Sequence, residues 1–137
     1  RPGFTLIEVL VVIVVLAVLA SLVAPNVFQH VSASKETAAK TQIEMLSAAL
    51  DAYRLDNGAY PSTTQGLDAL RLMPQGNPLP RNWRGPYLRK LVPNDPWNRP
   101  YIYESPGMRN PQSFDLQSYG ADGAQGGTGD NQDITNW

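Results

Sequence analysis

From Phe4 to Pro25 the chain is an almost unbroken apolar run, with Glu8 as its only charge and Thr5 and Ser21 its only hydroxyls. A helix over those residues rises about 33 Å at ~1.5 Å per residue, against a hydrocarbon slab of about 30 Å, so it spans a bilayer. Beyond Pro25 the pattern changes. Ala39, Ile43, Leu46, Leu50 and Tyr53 recur at alternating steps of four and three, with Lys35, Glu36, Lys40, Glu44, Asp51 and Arg54 between them. That period predicts an amphipathic helix continuing the span. Pro25 lacks a backbone donor, which predicts a kink or loosened turn near residues 21–25. The helix should stop between Leu55 and Asn57, because Asp56-Asn57-Gly58 tolerates the left-handed conformation and Pro61 follows.

Past that stop, Thr63 or Thr64 is expected to cap a short helix over Gln65–Leu72, closed by Pro74. Nine of the twelve prolines lie between Pro74 and Pro111, but the interleaved Trp83, Tyr87, Leu88, Leu91, Trp97, Tyr101, Ile102 and Tyr103 supply apolar surface to bury. An ordered proline-rich loop is expected, with its aromatic residues packed beneath it rather than forming a carbohydrate platform. Tyr101–Glu104 and Phe114–Tyr119 read as strands, paired antiparallel across Pro106-Gly107 and Asn110-Pro111. The fold class is therefore α+β: a long N-terminal helix, half membrane-spanning and half amphipathic, packed against a small antiparallel sheet. Residues 4–28 form the span, 29–57 the amphipathic helix and 58–137 a globular head.

At 137 residues the chain has room for one head and one core. The formal net charge of -1 leaves no electrostatic footprint for nucleic acid. There is no cysteine, so disulfides cannot staple a head held outside the cytoplasm. His30, the only histidine, sits among polar neighbours past the span and reads as a solvated surface residue.

Two places carry candidate chemistry. An unpaired ionised side chain in a spanning helix costs about 2.5–3.5 kcal/mol on insertion scales. Glu8 therefore calls for a cation, and the next basic residue is Lys35, beyond the span. The partner is expected from outside: if the chain is cut after Gly3, Phe4 of a neighbouring copy offers an α-amine. The bland alternative is a carboxylate snorkelling to the headgroups. A cleaved signal peptide fits poorly, because Ala17, Ala20 and Ala24 never fall two apart. The second place is Ser118–Ile134, where Asp122, Asp130, Asp133 and Asn131 lie among glycines with no lysine or arginine. Oxygen donors and turn-forming glycines suit calcium, although the EF-hand spacing is absent. A flexible acidic loop is the alternative.

Gly3-Phe4-Thr5-Leu6-Ile7-Glu8 before an apolar helix resembles the N-terminus of type IV pilin-like proteins. Leu55-Asp56-Asn57-Gly58-Ala59-Tyr60-Pro61 through Gln65-Gly66-Leu67 to Leu70 is similar to the head signature of the major pseudopilins of type II secretion systems. Gly85-Pro86-Tyr87-Leu88, Pro93–Tyr101, Tyr119–Gly123 and Asp133–Trp137 follow in the same order. The resemblance implies a pilin-like fold and a prepilin peptidase that cuts between Gly3 and Phe4 and methylates Phe4, with residues 1–3 a leader remnant. It implies that Glu8 pairs with the terminal amine of an adjacent subunit. It also implies calcium in the C-terminal loop on Asp122 and Asp133, with Asp130 or else Asn131 as third side-chain ligand and carbonyls of Tyr119 and the Gly127–Thr128 region completing the shell. The implied function is a structural, non-enzymatic subunit of a periplasmic pseudopilus, working as a piston for export of folded proteins. Its implied partners are further copies of itself, minor pseudopilins and an inner-membrane assembly platform. The implied location is a single pass through a bacterial inner membrane with the head in the periplasm. An adhesive or motility pilin is the alternative, although such pilins usually close a C-terminal loop with a disulfide. A membrane-anchored periplasmic hydrolase using Asp95 or Asp122 is more remote.

Overall fold

Fifty-two residues, Leu6–Asn57, form α1 in the computed structural model, which describes residues 3–137. Arg1 and Pro2 of the expected leader remnant, and the side chain of Pro25, lie outside the described residues. Packing divides the chain into two units, Arg1–Ser34 and Lys35–Trp137.

In the first unit α1 is continuous through residues 21–25, where a loosened turn is expected. Two polar side chains there turn back onto carbonyls of the preceding turn. The Ser21 hydroxyl donates to the Val18 carbonyl at 2.7 Å and the Asn26 amide to that of Leu22 at 3.4 Å, so neither polar group faces apolar surroundings unpaired.

In the second unit the predicted stripe on α1 is the spine of the core. Ala39, Leu46 and Leu50 are fully buried, and Ile43 and Tyr53 nearly so. Each buried leucine contributes about 1.5–3 kcal/mol relative to leaving it in water. The helix ends at Asn57, and Gly58 follows at φ 83°, the left-handed cap that Gly permits at no steric cost.

The short helix differs from expectation. Gly66 takes φ 63° and ψ -166°, which breaks helical backbone, so only Leu67–Leu70 coil, as a 3-10 helix. Neither threonine caps it. Ser62 and Gln65 form the reciprocal pair instead, backbone N–H to side chain at 2.9 and 3.3 Å. Thr63 Oγ1 donates to the Ser105 carbonyl and accepts the Ser105 N–H.

The proline-rich segment is ordered loop, as expected. Trp83 Nε1 donates to the Ala69 carbonyl at 2.9 Å and the Tyr87 N–H to that of Leu70 at 2.7 Å. Tyr87 also donates to Asp56 at 2.7 Å, and Asn57 Oδ1 accepts the Asn82 N–H at 3.0 Å, which fastens the loop to the end of α1.

Strands β1 (Ile102–Glu104) and β2 (Asp115–Ser118) pair antiparallel, with Tyr103 opposite Leu116. A third strand, β3 (Ile134–Thr135), pairs antiparallel with β2, Ser118 opposite Ile134, giving the order β1-β2-β3. Tyr101, Tyr103, Phe114, Leu116 and Ile134 join the α1 stripe in one core, with Tyr87 and Trp97 packed partly buried against it. The aromatic residues are packing.

Burial pushes the Tyr101 and Tyr103 phenols well above their ordinary 10.0. The fold thus holds their neutral form, while an unfolded chain ionises them from about pH 10 upward. Their contribution is complete below pH 10 and falls as pH rises beyond it, by up to about 1.4 kcal/mol per pH unit for each tyrosine. We expect a melting temperature insensitive to these groups below pH 9 and a steep alkaline loss that Tyr103→Phe makes shallower. An identical alkaline slope in that variant would count against the assignment.

Candidate functional sites

At the head of α1, Thr5 and Glu8 hold one another. The Thr5 N–H donates to Glu8 Oε2 at 2.9 Å, and the Glu8 N–H donates to Thr5 Oγ1 at 3.3 Å. This is a capping box, which satisfies two backbone donors that a helix start leaves orphaned. Sequence reasoning left Glu8 with no partner in its own chain and passed over Thr5, although Thr-x-x-Glu before an apolar run is its signal. The bond orients the carboxylate without cancelling its charge. Around it the helix surface is bare. Phe4 is 89% exposed and Leu6 88%, and every large apolar side chain on to Val23 is uncovered. Such a cylinder needs lipid or other helices around it.

In the second unit, residues 119–133 connect β2 to β3. The loop is closed by Asn136, whose N–H donates to the Leu116 carbonyl at 3.1 Å while its Oδ1 accepts the Leu116 N–H at 3.0 Å. Gly120 (φ 71°) and Gly123 (φ 66°) bound the first turn. A Cβ at Gly120 would press on the Gln132 carbonyl, so the two arms of the loop touch there. The Ala121 N–H donating to the Asp130 carbonyl at 3.3 Å is a second cross-link.

Asp122 is exposed and its Oδ1 accepts the Ala124 N–H at 3.1 Å. Asp133 Oδ2 accepts the Gly126 N–H at 2.8 Å, while its Oδ1 is buried with no hydrogen-bond partner. Asp130 and Asn131 are exposed on a 3-10 turn, Gly129–Asn131. The Thr128 carbonyl accepts the Asn131 N–H at 3.2 Å, and Tyr119 is half-buried. Among the described residues no three acidic, histidine or cysteine side chains gather as a ready-made metal cluster. A cation held here would have to draw on carbonyl and amide oxygens as well as carboxylates, an oxygen set of the kind hard cations take.

Asp95, weighed above as an acid or base, is 5% exposed and fully engaged. Its Oδ1 accepts the Trp97 and Arg99 N–H groups at 3.1 and 2.8 Å, and its Oδ2 the Ser118 hydroxyl at 2.6 Å. It is a structural hub beneath the loop.

Residues 26–137 match the family described as type II secretion system (T2SS), protein G, and residues 1–24 match the prokaryotic N-terminal methylation motif. The chain belongs to the type II secretion system protein G family. Type II secretion system core protein G of Pseudomonas aeruginosa is 54% identical over 138 aligned positions, covering 100% of this chain and 95% of that protein. The proteins of the same name from Vibrio cholerae and Escherichia coli (strain K12) are 48% and 43% identical, each aligned over 100% of this chain and over 92% and 91% of their own lengths. The crystal structure of the major pseudopilin from the type 2 secretion system of enterohaemorrhagic Escherichia coli superposes with a TM-score of 0.69 at 38% identity, over 82% of this chain and 95% of that one. The pilin-like α+β fold expected from the sequence is thus the fold of the family. The match to the N-terminal methylation motif falls on the apolar segment whose large side chains are uncovered from Phe4 to Val23.

Proposed function

We propose that this chain is the structural subunit that polymerises into the periplasmic pseudopilus of a type II secretion system and serves as a piston for export of folded proteins. The observation that carries the reading is the uncovered apolar helix headed by Glu8, in a chain that aligns over its own full length with proteins named core protein G. Apolar stems pass from lipid into a shared helical core, and small residues such as Ala17, Ala20 and Ala24 let backbones approach. Glu8, oriented by Thr5, meets the α-amine of Phe4 of an adjacent copy. No catalytic step enters this role.

Processing between Gly3 and Phe4 by a prepilin peptidase, with methylation of Phe4, belongs to the same reading. So do minor pseudopilins and an inner-membrane assembly platform as partners, a single pass through the inner membrane, and a periplasmic head. Intact mass of the membrane-extracted protein tests it: the chain should begin at Phe4 and carry one added methyl group. A chain that retains Gly3 in assembled fibres would overturn it.

Calcium in the β2–β3 loop completes the proposal. What supports it is the Asp133 Oδ1 atom, buried without a donor, in a stretch lacking any lysine or arginine. Asp122 and Asp133 would hold the ion, with Asp130 or Asn131 and the carbonyls of Tyr119 and Thr128 as the remaining oxygens. The ion would supply positive charge that ties the two arms of the loop together in a chain without disulfides. Gly120 and Gly123 serve this by turning the backbone where a side chain would collide.

A further inference from the structure

The Arg99 side chain has so far been given no role, yet its guanidinium reaches beneath the C-terminal loop. Its Nη1 donates to the Gly120 carbonyl at 3.1 Å and to the Ala121 carbonyl at 3.2 Å. The backbone of Arg99 is itself anchored: its N–H donates to Asp95 Oδ1 at 2.8 Å and its carbonyl accepts the Asp95 N–H at 2.7 Å. Asp95 Oδ2 accepts the Ser118 hydroxyl at 2.6 Å, and Ser118 Oγ accepts the Gly120 N–H at 3.2 Å. These bonds close a circuit from the proline-rich loop to the start of the cation loop and back. Gly123 belongs to it by omission, since a Cβ there would press on the Arg99 guanidinium.

We propose that Arg99 is a positioning residue for cation binding: it orients the Gly120 and Ala121 carbonyls, so that the turn presenting the Tyr119 carbonyl and Asp122 is formed before the ion arrives. A single nitrogen shared by two successive carbonyls holds both toward one point. The guanidinium is planar and always charged, so the clamp persists at any working pH. Without it, binding would have to order residues 120–123 as well as bridge the loop, and affinity falls when the competent arrangement is only partly populated. Outer partners that orient a metal's ligands carry about 10–100-fold of affinity in other sites.

This inference rests on the calcium reading, so the test separates the two. Calcium titrations by calorimetry, and hydrogen exchange of the amides of residues 120–123 in chelator, are run on the full chain in detergent for wild type, Arg99→Ala, Arg99→Lys and the exposed control Arg81→Ala. Arg99→Ala should weaken calcium binding about 10–100-fold and speed exchange at 120–123 in chelator. Arg99→Lys, able to reach one carbonyl, should fall between, and supplies the answer if the alanine variant does not fold. Arg81→Ala should match wild type. Wild-type calcium affinity in both Arg99 variants, with melting temperature lowered equally with and without calcium, would reduce Arg99 to a brace and overturn the proposal. If wild type takes up no calcium, the calcium reading fails. The role proposed for Arg99 in cation binding falls with it, and faster exchange at 120–123 in Arg99→Ala would then mark Arg99 as a brace of the loop alone.

Discussion

Glu8→Ala is expected to leave membrane insertion intact, even improved, while cutting fibre formation on the order of 10²-fold. A buried carboxylate costs about 2.5–3.5 kcal/mol in a spanning helix. A contact that recovers a comparable amount in each added subunit changes the addition constant nearly a hundredfold, since ~1.4 kcal/mol is tenfold. The capping box complicates this variant, because alanine also removes the acceptor that holds the Thr5 N–H. Glu8→Gln separates the effects. Glutamine at that position of a capping box still accepts the N–H but carries no charge. If pairing with a neighbouring amine drives assembly, Glu8→Gln should fail nearly as badly as Glu8→Ala. Normal fibres from Glu8→Gln beside none from Glu8→Ala would assign Glu8 to helix capping and sink the pairing role. Fibres sheared from cells and counted by electron microscopy, with membrane content checked by blotting, give both readings.

The second large effect should come from the ion. Anything that binds only the folded state stabilises it by RT ln(1 + [L]/Kd), about 2.7 kcal/mol at a hundredfold excess over Kd. For a head of about 80–100 residues that raises Tm by about 10–20 °C. Asp133→Ala should abolish the rise, since it removes the loop carboxylate whose one oxygen is buried and unpartnered. In chelator the variant should lose little, because the Gly126 N–H that bonds Asp133 is exposed and can turn to water. Asp122→Ala should behave alike, whereas Asp130→Ala and Asn131→Ala rank the third ligand by how much of the rise each retains. An unchanged Tm for wild type between chelator and millimolar calcium would remove calcium from the account.

Much of the architecture was legible in the chain because it rests on short-range physics. The exposed apolar half of α1, its buried stripe and the stop at Asn57 follow from hydropathy, a 3.6-residue period and a glycine cap, all of which act within a few residues. β1 and β2 were placed within a residue or two because alternation and turn residues bracket them. The methylation motif and Glu8 stood out because a charge in an apolar run is costly wherever the rest of the chain goes.

What escaped is what neighbours decide. β3 is two residues long, too short for any period, and exists because Asn136 and the edge of β2 hold it. Gln65–Leu72 has helical spacing, but Gly66 adopts a left-handed backbone and only a 3-10 turn survives. Asp95 and Arg99 look like ordinary polar loop residues until folding sets them beneath residues 118–121. By itself the sequence determined where apolar surface must be hidden, where the long helix stops, and which residues carry oxygen donors. Only the tertiary structure decided which carboxylate keeps an unpartnered oxygen and which arginine props the loop, because those outcomes depend on contacts between segments distant along the chain, and local spacing holds no record of them.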